Sequence, residues 1–403
     1  MKKYIFPLLT LILLLTTISV VPIYAEESNN DKASDKSEKN ETANVNLAEN
    51  SKTAILLERD TGKILFEKNA HEQLPPASMT KIMTLLLIME ALEDGKIKLD
   101  EKVRVSEYAA SMGGSQIFLE ENEEMTVNDL LKGVAVASGN DASVALAERI
   151  AGSEKNFVSM MNEKAKELGL ENTRFQNPTG LPAKNHFSTA YDMAIMAKEL
   201  LKYKKITDYT SIYEDYLRKG TDDEFWLVNT NKLVKYYDGV DGLKTGYTSE
   251  AKYCLTATAK KDNMRTIAVV MGAETTKKRN SDVTEMLDYA FSQYDTKQLF
   301  KAGQPVSKLN MVKADKGDVD IVTGESVSVV FEKGDKLEGV ETKVSVNNDI
   351  DLPLTKGDKV GKLEVSKDGK TLSETPLVVK ESVGKANVWQ LFKRSFHELI
   401  LKE

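Results

Sequence analysis

Ser78 and Lys81 stand three residues apart in "PPASMTKIMTLLLIMEAL" (75–92), where an apolar run begins that is broken only by Thr84 and Glu90. On a helix, positions three apart share a face, so the hydroxyl and the amine can meet. A serine hydroxyl becomes a nucleophile when a base takes its proton. A lysine can be that base only when it is uncharged, and desolvation or a neighbouring cation lowers its pKa. The apolar run supplies the desolvation, and the start of a helix adds a field that favours an alkoxide on Ser78. Taken alone, the tetrad reads as an N-cap serine with a solvated lysine.

Two later stretches have matching chemistry. Ser138-Gly139-Asn140 follows a segment rich in Val and Ala, so a hydroxyl and an amide are presented at the end of a buried element. Lys244-Thr245-Gly246 follows "GVDGL" and is expected to precede a strand; a glycine there leaves room for something pressed against the strand edge. The chain has three histidines (His71, His186, His397) and one cysteine, Cys254. HExxH and CxxC are absent, so no metal site and no cofactor is expected. A Ser-His-Asp triad would need His71 or His186. His186 reads as a local hydrogen-bonding residue, His71 as a surface residue and Cys254 as a buried small apolar group.

The elements that must position these groups are legible in outline. "TAILLERDTGKILFEKN" predicts a hairpin about Asp60-Thr61-Gly62. Helices are expected over 78–93, from Thr126 through "VNDLLKGVAVA" with Asp129 at the capping-box distance, and over 141–151, 154–168, 188–203 and 280–294. "YCLTATAKKDNMRTIAVVMGA" predicts two adjacent antiparallel strands. Helices lying between strands at both ends of the segment imply an α/β (α+β) domain whose sheet joins the hairpin to the late strands. From about 300 the pattern becomes alternating, rich in Val and in Lys-Gly-Asp turns, as in a small all-β domain without catalytic residues.

In this order, S-x-x-K, S-x-N and K-T-G behind an apolar leader resemble the D-alanyl-D-alanine carboxypeptidases, the low-molecular-weight penicillin-binding proteins. "NPTGLP", "HFSTAYDM", "NTNKL", "GVDGLKTGYT" and "IAVVMGAETTKKRNSDV" extend the resemblance over most of 53–300. It implies a β-lactamase/transpeptidase-like fold with a mixed, mainly antiparallel sheet flanked by helices, and removal of the terminal D-alanine from peptidoglycan stem peptides. Carried over residue by residue, Ser78 is the nucleophile, Lys81 its base, Asn140 the holder of the Lys81 amine and the substrate amide, and Ser138 with Lys244 the relay to the leaving group. The N–H groups of Ser78 and Tyr247 form the oxyanion hole, and Thr245 and Arg279 take the substrate carboxylate. Gly246 belongs to the substrate-binding strand. β-Lactams are expected as covalent inhibitors. The absence of Glu-x-x-Leu-Asn between the second and third motifs argues against efficient β-lactam hydrolysis. Tyr247 stands where some relatives carry His. DD-endopeptidase, weak β-lactamase and non-turnover β-lactam sensor are the alternative readings.

The chain of 403 residues carries a net charge of −7, which argues against nucleic acid as a partner. Lys2 and Lys3 open an apolar stretch ending near Ala25, a signal peptide over 1–25 that directs the protein outside the cytoplasm. A polar linker is expected over 26–50, the serine peptidase domain over 51–298, and the β domain over 299–386. An amphipathic helix over 387–403 places Trp389, Phe392 and Phe396 on one face. It suits peripheral attachment to the outer face of the cytoplasmic membrane.

Overall fold

A computed structural model describes residues 45–400 apart from 336 and 348, with side chains described as far as Arg394. The expected signal peptide and linker residues 26–44 lie outside the described residues. Linker residues 45–50 do not behave as a linker. Ala48 is fully buried, the Lys68 amine donates to its carbonyl at 2.8 Å, and the Asn50 amide donates to Asp282 Oδ1 at 2.8 Å. These contacts are long-range in sequence, so the polar composition of the segment gave no sign of them.

The main elements are numbered here in chain order. The principal sheet contains β1 (Thr53–Glu58), β2 (Ile64–Lys68), β3 (Val240–Thr248), β4 (Lys252–Lys261) and β5 (Met264–Ala273). Its strand order is β2-β1-β5-β4-β3, and each neighbouring pair runs antiparallel. Strand residues alternate between faces. Ile55, Leu57, Ile267 and Val269 therefore join one apolar core, while Ala54, Leu56, Ala268 and Val270 join a second core on the opposite face. With both faces covered, these strands read as continuous apolar runs.

The first core is closed by α1 (Lys81–Glu93), α2 (Val127–Ala135), α3 (Asn140–Ala151), α4 (Glu154–Glu167) and α5 (Ala190–Leu200). Thr126 caps α2 by accepting the Asp129 N–H at 3.1 Å, and Thr189 caps α5 by accepting that of Asp192 at 3.0 Å. α1 is apolar all round rather than on one stripe, because it runs through the interior: ten of its residues, Lys81 among them, are buried. A single 3-10 turn, Ala77–Thr80, precedes it and carries Ser78. The second core lies under α6 (Thr276–Gln293). This helix starts four residues before the expected position, because Thr275 caps it by accepting the Lys278 N–H at 3.2 Å. Two short hairpins, Lys102–Arg104 with Glu124–Thr126 and Glu214–Leu217 with Phe225–Val228, were not expected.

β6 (Tyr294–Phe300) leaves α6 and pairs with β9 (Val327–Glu332), so the expected 298/299 boundary falls inside a strand. β7 (Pro305–Asn310), β8 (Asp318–Thr323), β10 (Val340–Val346), β11 (Lys359–Lys367) and β12 (Lys370–Val379) form a five-stranded antiparallel sheet over a third apolar core. α7 (Val388–Ile400) follows. No helix among the described residues is long and apolar enough to cross a membrane.

Candidate active site

The serine turn is held from two sides by glycines. Gly180 has φ +84°, and a Cβ placed on it would lie 1.8 Å from the Ala77 carbonyl oxygen and 2.9 Å from Ser78 N. Only glycine tolerates both the dihedral and the approach. A Cβ on Gly246 would lie 2.7 Å from the Pro76 carbonyl oxygen and 3.2 Å from Met79 N. Lys244-Thr245-Gly246 thus lies within the edge strand β3 rather than before a strand. Its glycine makes room for the serine turn itself, a neighbour that no local pattern identifies. Ala77 sits at φ +48°, a costly conformation for a residue with a side chain.

Lys81 Nζ lies 3.3 Å from Ser78 Oγ. It donates to Asn140 Oδ1 at 2.6 Å and to the Thr179 carbonyl at 2.7 Å. A neutral amine has two N–H bonds and one lone pair. With both hydrogens engaged, the lone pair is left for the Ser78 hydroxyl. Burial holds the Lys81 amine well below its ordinary pKa, the nearby Lys244 charge lowers it further, and Asp141 partly opposes both.

Asn140 is oriented by its own donor, since Nδ2 donates to the Gly113 carbonyl at 2.7 Å. Asp141, fully buried, accepts the N–H groups of Ile117 and Leu119 at 3.0 and 3.1 Å and so fixes the loop whose Gly113 carbonyl holds Asn140. Ser138 is buried at φ +64°. Its hydroxyl has no partner among the described residues, an arrangement that costs free energy until a ligand or water fills it.

Lys244 is 1% exposed, and among the described residues its amine reaches only the Thr245 carbonyl, at 3.2 Å. Burial, reinforced by the Arg279 charge, brings its pKa down to about 7. Arg279 is itself buried and pushed down to about 10, so it remains a cation at neutral pH. Its Nε and Nη2 donate to Asn280 Oδ1 at 3.1 and 2.8 Å. Thr245 Oγ1 donates to Thr230 Oγ1 at 2.8 Å. Tyr247 is 54% exposed and its ring lies over Tyr253, with 4.4 Å between centroids. A cleft of about 610 Å³ adjoins the serine turn, with Ala77, Leu181, His186 and Thr248 among its walls.

The structure therefore brings Ser78, Lys81 and Asn140 into direct contact, and sets Lys244 and Arg279 close enough for their charges to act on Lys81 and Lys244 respectively. His186 joins no triad. Its Nδ1 accepts the Gln176 N–H at 3.3 Å and its Nε2 lies 2.9 Å from Thr80 Oγ1, which braces the serine turn. His71 is exposed, and Cys254 is fully buried. Sequence reasoning missed the Thr179 carbonyl, Gly180 and Asp141; of these, only Gly180 left a signal, in "NPTGLP".

A buried, deprotonable lysine against a serine, on an antiparallel sheet covered by helices on both faces, defines a serine hydrolase of the acyl-transfer kind. The chain belongs to the D-alanyl-D-alanine carboxypeptidase family, whose model matches residues 38–275; 294–385 match the C-terminal domain of penicillin-binding protein 5. It is 62% identical to D-alanyl-D-alanine carboxypeptidase DacF of Bacillus subtilis over 76% of this chain and 79% of that protein. Among solved structures it resembles penicillin-binding protein 5 of Haemophilus influenzae (TM-score 0.66, 34% identity, 85% of this chain and 99% of the other). It also resembles the ampicillin-bound form of penicillin-binding protein D2 from Listeria monocytogenes (TM-score 0.55, 30% identity, 62% and 100%).

Proposed function

We propose that the protein removes the terminal D-alanine from peptidoglycan stem peptides through an acyl-enzyme on Ser78. The observation that carries this reading is the Lys81 amine, with both hydrogens spent on Asn140 and Thr179 and Ser78 Oγ 3.3 Å away. Lys81 takes the Ser78 proton as Oγ attacks the penultimate D-alanine carbonyl. The oxyanion is held by the N–H groups of Ser78 and Tyr247, each worth about 3 kcal/mol by analogy with other acyl-transfer sites. Ser138, with its unpartnered hydroxyl, and Lys244, poised near neutrality, return a proton to the departing D-alanine nitrogen. Thr245 and Arg279 hold the free carboxylate, and the surplus charge of a buried guanidinium suits that task. Water then releases the shortened peptide. A β-lactam presents a similar carbonyl and acylates the same oxygen.

The reaction lies outside the cytoplasm, where peptidoglycan is found, and α7 attaches the chain to the membrane surface. Val388, Trp389 and Phe392 are 84%, 67% and 57% exposed. On the same helix Arg394 donates to the carbonyls of Val312 and Asp315 at 2.9 and 2.8 Å. That bond turns the aromatic side away from the β domain, in the orientation an interfacial helix needs.

The test is Ser78→Ala with a diacetyl-Lys-D-Ala-D-Ala peptide and with penicillin followed by mass spectrometry. We expect D-alanine release to fall by a thousandfold or more, on the order of the effect of removing an activated nucleophile, and the adduct on residue 78 to disappear. An adduct that persists in Ser78→Ala would overturn the assignment. Cleavage of crosslinked dimers without D-alanine release would point to an endopeptidase.

A further inference from the structure

The cleft of about 610 Å³ beside the serine turn is bounded from two sides, with Pro75, Pro76 and Ala77 between them. On one side the loop that begins at Gly180 lies close against the Ala77 carbonyl, and on the other Gly246 of β3 lies close against Pro76. The first side runs on through Leu181 to Lys184, and the second runs past Tyr247 through Thr248 to Glu250. Lys184 and Glu250 are the two charged side chains of the lining, and their signs are opposite. His186, also in the lining, is engaged through both ring nitrogens with Gln176 and Thr80. Lys184 and Glu250 are exposed, and among the described residues neither makes a hydrogen bond or an ion pair, with the other or with any third group. Elsewhere on the surface exposed opposite charges do close on each other, Lys96 on Asp94 at 2.8 Å and Lys316 on Glu381 at 2.6 Å. Here an ammonium and a carboxylate stand apart on the two sides of one cleft next to the nucleophile.

With the substrate carboxylate at Thr245 and the oxyanion at the Tyr247 N–H, the peptide runs antiparallel to β3, an edge strand that can accept one. Its upstream part then passes Thr248 toward Glu250. The third residue of the stem, which precedes the two D-alanines, has its Cα ~3.8 Å from that of the penultimate D-alanine. Glu250 is three residues beyond Tyr247, at most about 10 Å along the chain. A long side chain on the third residue covers that span. Leu74, Leu181 and Phe187 offer apolar surface to its methylenes, and the two charges lie within reach of its polar tip.

We propose, resting on the carboxypeptidase reading, that Lys184 and Glu250 select stem peptides whose third residue ends in both an ammonium and a carboxylate, a diaminodicarboxylic acid. Glu250 takes the ammonium and Lys184 the carboxylate. A lysine-type tip satisfies Glu250 but sets its ammonium beside that of Lys184, and an acylated tip satisfies neither. Both side chains are exposed, so each contact is modest in strength. Neither touches the reacting atoms, so the preference is carried by KM and not by kcat.

The test uses the full chain and three peptides that differ only at the third residue, diaminopimelate, lysine or Nε-acetyl-lysine, each followed by D-Ala-D-Ala. D-Alanine release gives KM and kcat, and penicillin labelling gives the active fraction. We expect the lowest KM for the diaminopimelate peptide. Lys184→Glu should raise that KM by about three- to tenfold, the scale of turning an exposed attraction into a repulsion, and should lower the KM of the lysine peptide. Glu250→Gln should raise the KM of both charged peptides. A change of fold would move all three peptides together, so an equal effect of Lys184→Glu on the three would overturn the proposal. Equal KM for the diaminopimelate and acetyl-lysine peptides in wild type would do the same. Protection of Ser78 from penicillin by the same peptides ranks their binding without turnover. If no peptide released D-alanine, the carboxypeptidase reading would fail, and the order of protection would still decide the role of Lys184 and Glu250.

Discussion

The serine domain and the β domain solve the same packing problem in opposite ways. The β domain buries Val319, Ile321, Val360, Leu363, Val365 and Leu377, and its buried polar side chains are neutral hydroxyls such as Thr323 and Thr375. Among its described residues one non-glycine, Asp368, has a positive φ, and it lies in the tight turn between β11 and β12. The serine domain buries Lys81, Lys244 and Arg279, and its buried Ser138 hydroxyl has no partner among the described residues. It also places Ala77 and Ser138 in left-handed conformations, one residue before Ser78 and two before Asn140. Buried charge and forced dihedrals each cost stability. The β domain buries no charged side chain among its described residues, whereas the serine domain bears these costs both at its chemical groups and at structural ones such as Glu58 and Asp282, and the apolar cores on both faces of the principal sheet offset them.

The sharpest way to break this contrast is Lys244→Met. Among the described residues its amine makes a single 3.2 Å bond, to a neighbouring carbonyl, so replacing it with an apolar chain of similar length leaves little unpaired. We expect D-alanine release to drop by about a hundredfold or more, the scale of a proton-transfer group, while unfolding free energy rises by about 1–2 kcal/mol. Lys81→Met should lose as much activity without that gain, because Asn140 Oδ1 and the Thr179 carbonyl would be left unpaired in the interior. The sign with pH follows. The folded Lys244 pKa, about 7, lies below its unfolded value near 10.5, so the unfolded chain binds more protons between the two. Stability should climb with pH across that window in wild type and climb less in Lys244→Met, as measured by urea unfolding. A stability loss in Lys244→Met would show that the buried amine supports the fold.

The contrast was only half visible in the sequence. Ser78, Lys81, Ser138, Asn140 and Lys244 are side chains, and their types and spacings can be read directly. The alternation of the β domain and the capping residues Thr126 and Thr189 are equally local. What could not be read is backbone and long-range. The Thr179 carbonyl that takes a Lys81 hydrogen carries no side-chain signature and lies 98 residues from it. Gly246 read as room for something pressed against the strand edge, and the segment that approaches it is the serine turn, which no pattern in β3 identifies. Ala48 and Asn50 looked like linker because their contacts, to Lys68 and Asp282, are with residues far along the chain. The hairpin strands of three residues at Lys102–Arg104 and Glu124–Thr126 are too short to show a period.

Two glycines extend the comparison at a smaller scale. Gly180→Ala would push a Cβ to 1.8 Å from the Ala77 carbonyl at φ +84°, and Gly361→Ala would place one 2.3 Å from the Ser345 carbonyl in the β domain. Both face backbone that cannot move alone, so each should cost about 3 kcal/mol or more. Their functional outcomes should separate. Gly180→Ala displaces Ser78 and should slow penicillin acylation even where the chain is still folded. Gly361→Ala should leave the acylation rate of the folded fraction unchanged. Stopped-flow acylation beside thermal unfolding reads both. Equal slowing in the two variants would mean that the β domain reaches into the site.

The smallest effect concerns His186, the one buried histidine among the described residues and a group the proposed chemistry does not use. Burial lowers its pKa to about 4, below the unfolded value near 6.5, so the folded protein keeps the ring neutral where the unfolded chain would protonate it. That neutral ring accepts the Gln176 N–H at Nδ1 and therefore donates from Nε2 to Thr80 Oγ1, two residues from the nucleophile. The sign is that of a depressed pKa: the contribution is complete above pH 6.5 and is lost as pH falls through 4, up to about 3 kcal/mol for a shift of this size. His186→Gln keeps a hydrogen-bonding side chain of related reach but cannot take up the proton. Its unfolding free energy should fall less than that of wild type between pH 6.5 and 4, and the difference between the two curves removes the carboxylates that titrate in the same range. Parallel curves would mean that the ring gains its proton without leaving Thr80, and that the brace beneath the serine turn survives acid.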